Sequence, residues 1–523
     1  FRRVLFRSNG ADSGYPIVMN ILIAGCTVLP MTASEADAHK YFTGNIGIAD
    51  GRIAFAGADP QQAAAFRARC GTSLREIDGR GKVAMPGLVN LHNHVSMSLM
   101  RSYADDMPLM PWLTEKIWPF EAKLDGEDIY LGARLGIAEM LLGGTTTFVD
   151  MYWHSDRVAD AVTETGIRGV VCPTFVGASY DAFEPEALRM AEKYASGGHD
   201  RVQIMLAPHA PYTCPPETLK KTLKIAEQYG LGIQIHISET LDEQQTIREQ
   251  YGKTPVEHLR DVGLFERPVL AAHCVYVNDS DIEIMARYGV SVAHNPQSNM
   301  KLASGIAPVV QMLAAGVNVG IGTDGPSSNN DLDMWDEMRT ASLLQKVATG
   351  DASVLPAYET LRMATVGGAC AVGMEGELGV VAPGARADLI LVDMGGTHWA
   401  PGNDPIAGLV YNAKSTDVDT VLVDGRILVE RGELTQEQAK LHPGKNVITR
   451  AVGTEPEVEG DVFICKLRKE ECILLCSDGL SNEMADQEML FEVVHGLNKS
   501  DCCQRLLHIA KKRGAPDNVT VAL

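Results

Sequence analysis

The sequence predicts an α/β protein with a (β/α)₈ barrel, a small β-sandwich formed from both flanking segments, and a C-terminal α+β fragment. Three observations lead to this expectation. Apolar runs alternate with helical stretches through the middle of the chain, β-rich segments flank that middle, and the sequence changes character near residue 432. With 523 residues, the chain is long enough for more than one domain.

The chain begins with a segment unlike the rest. Residues 1–18 are interpreted as a non-native leader, with Met19 as the natural start. The leader's arginines and the apolar run after them imitate a lipoprotein signal, but Asn20 interrupts that run and strand-like sequence follows directly. No apolar stretch approaches the roughly 18 residues of a membrane span. We therefore expect a cytoplasmic protein without a membrane partner.

Two β-rich segments are expected to form the sandwich together. Residues 19–80 contain short strands separated by turns, and Asp50-Gly51 is a strong hairpin signal. Residues 376–431 have the same character, with Asp424-Gly425 as the hairpin turn. Because these segments flank a long middle, they predict one sandwich assembled from both ends of a domain.

Residues 81–375 are expected to form the barrel. Short apolar runs alternate there with helical stretches, which is typical of parallel strands buried on both faces. Eight such units fit a (β/α)₈ barrel. The predicted strands are Val83–Leu91, Thr145–Met151, Gly169–Phe175, Val202–Ala207, Gly232–Ile237, Val269–Cys274, Val290–Ala293 and Val317–Gly322.

Composition excludes some partners. The net charge of −21 argues against a nucleic-acid groove, because phosphate binding needs concentrated Lys and Arg. The eleven cysteines show no CxxC spacing, which suits free thiols in a reducing compartment better than disulfides. We expect a small-molecule substrate as partner and no nucleic acid, and homo-oligomerisation stays open.

Polar side chains stand at the C-terminal ends of most predicted barrel strands, the face that carries active sites in such barrels. His92 and His94 lie two residues apart on a strand and therefore share a face. Joined by residues from later strand ends, they predict a metal site, whereas His294 is as well explained by a structural role. The predicted ligands are His92, His94, His236 and Asp324.

Three imidazoles and one carboxylate leave a divalent ion with net positive charge and room for water. Such an ion lowers the pKa of its bound water to about 7, which gives hydroxide at neutral pH. These ligands favour zinc over iron or manganese. The expected cofactor is therefore a divalent ion, Zn²⁺.

Three residues near the predicted metal are assigned to proton transfer. Glu239 lies three positions after His236, where an acid can protonate a ring nitrogen while hydroxide attacks the adjacent carbon. His273 is placed to orient the attacking water, and Asp324 can carry the water's proton to the leaving amine. The alternatives are a surface or helix-capping role for Glu239 and a structural role for His273.

Several motifs resemble one group of enzymes. The runs MPGLVNLHNH, PLMPWLTEKIWPFE, GGTTTFVDM, HISE, AAHCV, AHNPQSNMKLASGIAPV and GTDGPSSNNDLDMWDEMRTASLLQK are similar to the methylthioadenosine/S-adenosylhomocysteine deaminase group of the amidohydrolase superfamily. The resemblance covers about residues 19–431. It implies the four metal ligands and the three proton-transfer residues given above. It also implies a substrate site formed by Glu121, His209, Glu239 and Asp324.

The resemblance implies a metal-dependent hydrolytic deaminase of a purine nucleoside, of the methylthioadenosine, S-adenosylhomocysteine or adenosine type. Glu121 can accept hydrogen bonds from ribose hydroxyls; an exposed helix glutamate is the alternative. Binuclear relatives have a bridging lysine where this chain has Ala207-Pro208-His209, so one ion is expected. The alternative substrate is a non-nucleoside heterocycle such as guanine or a chlorinated triazine, but Glu239 favours deamination.

The resemblance also predicts whether the substrate carries an anionic tail. Deaminases of this group often show an arginine at the end of the third strand, suited to an anionic tail. This chain has Cys172-Pro173-Thr174 there, and Arg168 lies at the strand's other end. This departure favours a neutral nucleoside.

Residues 432–523 resemble the C-terminal portion of a protein phosphatase of the 2C type, on runs such as SDGLSNEM and PDNVTVAL. Asp478 and Asp517 match two acidic positions of that family, but the N-terminal ones are absent. Half a carboxylate cluster cannot assemble a two-metal site, so we expect an inactive fragment joined artefactually. A phosphatase or binding role of this tail is the distant alternative.

Overall fold

The structure, a computed structural model, describes residues 2–4, 20–32, 41–195 and 201–431, together with residues 475–476, 484, 488–489, 491–492, 499–513 and 521–522. The chain divides into two units, Phe1–Gly432 and Glu433–Leu523. Within these described ranges, no helix combines the length and apolar character that crossing a membrane requires.

The chain starts with strands of a β-sheet that lies outside the barrel. These elements are β1 (Arg2–Val4), β2 (Asn20–Val28), β3 (Phe42–Ala49), β4 (Arg52–Gly57), α1 (Pro60–Cys70), β5 (Leu74–Asp78) and β6 (Lys82–Pro86). The predicted hairpin turn Asp50-Gly51 joins β3 to β4, which pair antiparallel.

Eight parallel strands follow and form the barrel in sequential order. They are β7 (Leu88–Asn93), β8 (Thr145–Tyr152), β9 (Arg168–Phe175), β10 (Val202–Pro208), β11 (Gly232–Ile237), β12 (Val269–His273), β13 (Ser291–His294) and β14 (Asn318–Ile321). The last strand returns to the first, because the backbone N–H of Asp324 donates to the carbonyl of His92 at 2.9 Å. The predicted barrel is therefore confirmed.

Helices connect these strands. They are α2 (Leu109–Pro111), α3 (Trp118–Glu121), α4 (Gly126–Leu142), α5 (Ser155–Thr165), α6 (Tyr180–Tyr194), α7 (Pro216–Tyr229), α8 (Leu241–Tyr251), α9 (Pro255–Val262), α10 (Asp279–Tyr288), α11 (Pro296–Lys301), α12 (Val309–Ala314), α13 (Met334–Thr349), α14 (Ala357–Arg362) and α15 (Gly368–Ala371). Shorter turns of 3₁₀ or π type lie at 71–73, 95–100, 112–117, 177–179, 264–266, 363–367, 397–399 and 415–417.

The barrel strands are buried on both faces, as their continuous apolar character predicts. Every residue of β8 and β9 is buried. Alternate side chains face the barrel interior or the helices, so both sets must be apolar or paired. The interior is filled by a separate apolar cluster that includes Val89, Val149, Val170, Met205, Leu270 and Ala293.

The end of the first unit returns to the outer sheet. Its elements are β15 (Leu389–Asp393), α16 (Pro405–Tyr411), β16 (Val418–Val423) and β17 (Arg426–Arg431). The hydrogen-bonded order is β1-β17-β16-β15-β6-β2-β3-β4, with β5 beside β2. Both flanking segments thus contribute to one β domain, as predicted.

The two glycine turns explain how this sheet closes over its own core. Gly51 and Gly425 have φ values of +74° and +67°, a region in which glycine is not strained. The Ala387 N–H donates to the Gly51 carbonyl (2.9 Å), and the Gly425 N–H donates to the Ala387 carbonyl (3.0 Å). Strands near opposite ends of the sheet therefore meet, with Ile23, Ile48 and other apolar side chains enclosed in one cluster.

The structure corrects the first predicted barrel strand. Val83–Leu91 is not one strand, because β6 belongs to the outer sheet and β7 belongs to the barrel. Gly87 lies between them, with its N–H bonded to the Asp388 carbonyl at 3.0 Å. A Cβ atom at Gly87 would lie 2.1 Å from the Thr146 hydroxyl oxygen, so the crossing requires glycine.

Arg168 joins the start of β9 to the outer sheet. Its side chain is 1% exposed and forms ion pairs with Asp388 (3.0 Å) and Asp424 (2.8 Å). Asp424 also pairs with Arg201 and Arg386. Arg168 is thus held in a buried network at the end of β9 away from the predicted site.

In the second unit, β18 (Leu475–Cys476) pairs antiparallel with β19 (Val521–Ala522), and α17 covers Lys499–Lys512. The described part of this unit therefore contains both helix and strand. Asp478 and Asp517 lie outside the described residues.

Candidate active site

The ends of three barrel strands bring the four predicted metal ligands together. The Asp324 Oδ1 atom lies 3.2 Å from His94 Nε2 and 3.4 Å from His92 Nε2. His92 Nε2 lies 3.1 Å from His236 Nε2. Three imidazole nitrogens and one carboxylate oxygen thus point at one small volume.

Backbone carbonyls orient two of these imidazoles. His94 Nδ1 lies 2.6 Å from the Met151 carbonyl oxygen, and His236 Nδ1 lies 2.7 Å from the His209 carbonyl oxygen. A carbonyl oxygen can only accept, so Nδ1 carries a hydrogen in both rings, and each Nε2 atom faces the cluster. This is the arrangement in which histidine binds a metal ion.

The electrostatics of two of the three imidazoles also fit a metal ion. Burial lowers the pKa of His92 to about 4 and that of His236 well below its ordinary value. Both imidazoles are therefore neutral, as ligation requires. Burial also opposes protonation of His94, but its hydrogen bond to Asp324 outweighs this and raises its pKa to about 9. Hydrogen bonds from His92 and His94 outweigh burial at Asp324 and hold its pKa well below normal.

The two oxygens of Asp324 have different partners. Oδ1 accepts from the Gly325 N–H (2.8 Å) and faces the histidines, whereas Oδ2 accepts from the hydroxyls of Ser298 (2.6 Å) and Ser328 (2.9 Å). Asp324 itself has a φ of +61°, a strained conformation for a residue with a side chain. Neither serine was singled out from the sequence, although both lie in the runs that carry the family resemblance.

Glu239 follows β11 on a turn fixed by α8. The Glu243 carboxylate accepts the backbone N–H groups of Ser238 (2.8 Å) and Glu239 (2.9 Å). The Glu239 side chain is buried, and burial raises its pKa. Thr240 and Glu243 have the spacing of a helix-capping motif, and that signal could have identified Glu243 from the sequence.

His273 lies opposite Glu239. Its Nε2 is 3.9 Å from Glu239 Oε2, and its Nδ1 donates to Asn299 Oδ1 at 2.8 Å. Since Nδ1 is hydrogen-bonded to Asn299, the other ring nitrogen, Nε2, faces the pocket. The pairing with Asn299 was not visible in the sequence.

Glu121 and His209 line the same pocket as the metal-ligand cluster. The Tyr152 hydroxyl donates to Glu121 Oε1 at 2.7 Å. Burial raises the pKa of Glu121 to about 7, although the Tyr152 hydrogen bond partly opposes this shift. The His209 ring centre lies 4.8 Å from that of His236, and its Nδ1 lies 2.9 Å from the Thr213 hydroxyl.

Apolar side chains form much of the remaining pocket wall. They include Met97, Leu109, Trp112, Leu113, Ile117 and Leu302.

His294 does not line this pocket. It is fully buried, and neither ring nitrogen has a hydrogen-bond partner among the described residues. Burial lowers its pKa to about 3.

Comparisons with known proteins agree with this arrangement. A 5-methylthioadenosine/S-adenosylhomocysteine deaminase of Pelotomaculum thermopropionicum is 51% identical over 417 residues, or 79% of this chain and 94% of that protein. A zinc-bound adenosine deaminase from Xanthomonas campestris is 34% identical, with a TM-score of 0.73 over 78% of this chain and 92% of that one.

A third similar protein is an atrazine chlorohydrolase from Arthrobacter aurescens TC1, whose structure is a complex with zinc. It is 28% identical, with a TM-score of 0.71 over 80% of this chain and 97% of that one. The sequence pattern of the amidohydrolase family matches residues 83–428. This chain belongs to the amidohydrolase family.

Proposed function

We propose that this protein is a hydrolytic deaminase of purine nucleosides that uses one divalent ion, zinc. The observation that carries the proposal is a buried carboxylic acid, Glu239, in the pocket that holds the metal-ligand cluster. The similar proteins named above support it, because one is a nucleoside deaminase at 51% identity and another is a zinc-bound adenosine deaminase.

The proposed ligands of the ion are His92, His94, His236 and Asp324. When bound there, a zinc ion supplies hydroxide at neutral pH by lowering the pKa of water to about 7. A single ion is proposed because the end of β10, Ala207-Pro208-His209, offers no lysine to bridge two ions.

Three residues of the chain are proposed to transfer protons or to orient the attacking water. Burial raises the pKa of Glu239, which favours its protonated form, and we assign to Glu239 the donation of a proton to the purine ring nitrogen. Asp324 accepts the proton of the attacking water at its pocket-facing side and passes it to the departing amine. His273, whose Nδ1 is hydrogen-bonded to Asn299, orients that water through its Nε2.

Glu121 is the proposed contact to the ribose. Its carboxylate lies beside Tyr152 and His209 on the pocket wall, and aromatic side chains such as Trp118 surround it. A carboxylate in this position accepts hydrogen bonds from two neighbouring hydroxyls, a pattern that a free base does not offer.

We expect Glu121→Ala to narrow the preference for adenosine over adenine by roughly tenfold to a hundredfold. A hydrogen bond to a charged group is worth about 1.5–3 kcal/mol, and every 1.4 kcal/mol is about tenfold. Ammonia release should be measured at pH 8, where Glu121, with its pKa of about 7, is ionised. Glu115→Ala, at an exposed position of the same segment, is the matched control.

An equal loss on adenosine and adenine would contradict the ribose contact, and no loss on either would mean that Glu121 does not contact the substrate. The wild-type assay should include guanine and a chlorinated triazine, since a chlorohydrolase is among the similar proteins. Activity on these compounds alone would favour the alternative substrate class. Glu239 favours deamination because a ring nitrogen needs a proton donor.

The tail from residue 432 is proposed to be an inactive phosphatase-like fragment. We expect truncation after Arg431 to retain deaminase activity, because the first unit, Phe1–Gly432, contains every proposed site residue. The full chain should release no phosphate from a phosphopeptide. Manganese-dependent phosphate release that Asp478→Ala abolishes would contradict this proposal, as would a folded, metal-binding truncation without deaminase activity.

A cytoplasmic location is also proposed. Eight cysteines in the described part of the chain are free thiols, which suits a reducing compartment. We also propose that residues 19–80 and 376–431 form the outer β domain and that residues 81–375 form the barrel domain, except that β6 (Lys82–Pro86) belongs to the outer sheet.

A further inference from the structure

The chain leaves β11 and β12 through turns with a strained backbone. Ser238, after β11, has a φ of +54°, and His273 and Cys274, at the end of β12, have φ values of +73° and +49°. All three carry a side chain, so this left-handed conformation persists only where surrounding contacts hold it. Ser238 precedes Glu239, and His273 Nε2 lies 3.9 Å from Glu239 Oε2. The contacts that hold these turns therefore decide where the proposed proton donor lies.

Glu243, on the first turn of α8, holds the turn after β11. Its side chain is buried, and its two carboxyl oxygens accept separate backbone N–H groups. Oε1 accepts from Ser238 at 2.8 Å, and Oε2 accepts from Glu239 at 2.9 Å. Two consecutive peptide groups are thus fixed by a single side chain, and Glu239 is held at its own backbone nitrogen.

A capping glutamate on the next helix shows that this contact differs from an ordinary helix cap. Both α8 and α9 follow a threonine whose hydroxyl accepts the N–H of a glutamate three residues later, namely Thr240 and Glu243 in α8 and Thr254 and Glu257 in α9. Glu257 returns to the N–H of Thr254, at the start of its own helix, at 2.9 Å. Glu243 instead reaches past Thr240 to the turn that carries the proposed proton donor. The same local motif therefore serves the helix in α9 and the active site in α8.

Gln244, the neighbouring residue, joins the two turns. Its Nε2 donates to the Ser238 hydroxyl (2.9 Å) and to the Tyr276 carbonyl (2.7 Å). The Tyr276 N–H donates in turn to the Ser238 carbonyl (2.9 Å), and the Cys274 N–H donates to the Ile237 carbonyl (3.0 Å). The chain after β12 is therefore fixed against the chain after β11.

We propose that Glu243 and Gln244 are positioning residues that place the Glu239 carboxyl for proton donation. The inference rests on the proposed function, in which Glu239 protonates the purine ring. Neither positioning residue is among the described side chains that line the catalytic pocket, so each acts through the turn that it holds. A misplacement of about 1 Å can lower the rate of an enzyme about 10²-fold. Removing these contacts should therefore lower kcat while substrate binding and the metal ion are retained.

The first test measures ammonia release from adenosine by single variants of the full chain. Glu243→Ala should lower kcat about a hundredfold, with KM changed by less than about threefold. Gln244→Ala removes only neutral hydrogen bonds and should lower kcat about tenfold. The matched control is Glu257→Ala on α9, which should leave kcat unchanged because Glu257 caps its own helix.

Metal analysis and circular dichroism accompany these assays. Both positioning variants should keep the ion and the fold of the wild type. Because Glu243 is buried, Glu243→Ala is the variant with the greater effect on folding. If it does not fold, Gln244→Ala decides alone, since Gln244 is half-buried. Loss of the ion from a folded positioning variant would overturn the inference, because these residues would then support the metal-ligand cluster.

The second test repeats both substitutions in the Glu239→Gln background. Residues that act through Glu239 should lower kcat by less than about threefold once the proton donor is absent, whereas independent effects would multiply. The full losses of the single variants, repeated in this background, would overturn the inference. Unchanged kcat in the folded single variants would overturn it as well, while deamination by the wild type would leave the proposed function intact. A wild type that releases no ammonia from adenosine would overturn the proposed function and this inference together.

Discussion

Replacing Glu239 by glutamine is expected to lower kcat by about 10²- to 10⁴-fold, which is the usual contribution of general acid–base catalysis. Metal content and folding should stay unchanged. Glutamine keeps the shape of the side chain but cannot donate a carboxylic proton. The variant should bind the nucleoside and retain the ion, because Glu239 is not one of the proposed ligands. Steady-state ammonia release, metal analysis and circular dichroism check these three expectations.

The pH dependence of the wild type provides an independent readout. Burial raises the pKa of Glu239, so the acid stays protonated to a higher pH than an exposed glutamate does. Only the protonated form donates, and the rate should therefore fall as pH rises through that pKa. The falling limb should be lost in Glu239→Gln.

A matched control for this substitution lies on the next helix. Glu249→Gln changes an exposed glutamate of α8 and should leave kcat unchanged. A loss smaller than about tenfold in Glu239→Gln would mean that the proton donor lies elsewhere. Loss of the metal ion in that variant would instead indicate that Glu239 supports the cluster.

Much of the fold could be predicted from local patterns. The barrel strands are continuous apolar runs because both of their faces are buried, and this signal does not depend on distant residues. The turns at Gly51 and Gly425 need positive φ, and the Asp-Gly pairs in the sequence predict hairpin turns with this conformation. The division of Val83–Leu91 between two sheets was missed, because Gly87 faces Thr146 and Asp388, neither of which is near it in the sequence.

The candidate site could also be predicted only in part. Its histidines and carboxylates could be predicted because the strand ends of a barrel converge on one face. Their hydrogen-bond partners could not, since the Tyr152 hydroxyl that binds Glu121 is 31 residues away and Ser298 is 26 residues from Asp324. Serine and tyrosine are common, and only the folded chain shows which of them face the site.

Replacing His92 by alanine is expected to remove the metal ion and with it all deaminase activity. The ring lies at the centre of the cluster, with Nε2 3.1 Å from His236 Nε2 and 3.4 Å from Asp324 Oδ1. Its loss leaves two imidazoles and one carboxylate, which is one ligand fewer than the proposed four. Metal analysis should give about one ion per wild-type chain and almost none in the variant.

A buried histidine outside the site serves as the control for the loss of packing. His258 is 4% exposed on α9, and its ring stacks on Tyr251 with centres 4.0 Å apart. His258→Ala creates a comparable cavity and should lower thermal stability, yet it should keep the ion and the activity, because His258 does not line the pocket. Full metal occupancy and activity in His92→Ala would contradict the proposed ligands. Metal loss in both variants would mean that unfolding, rather than the loss of a ligand, releases the ion.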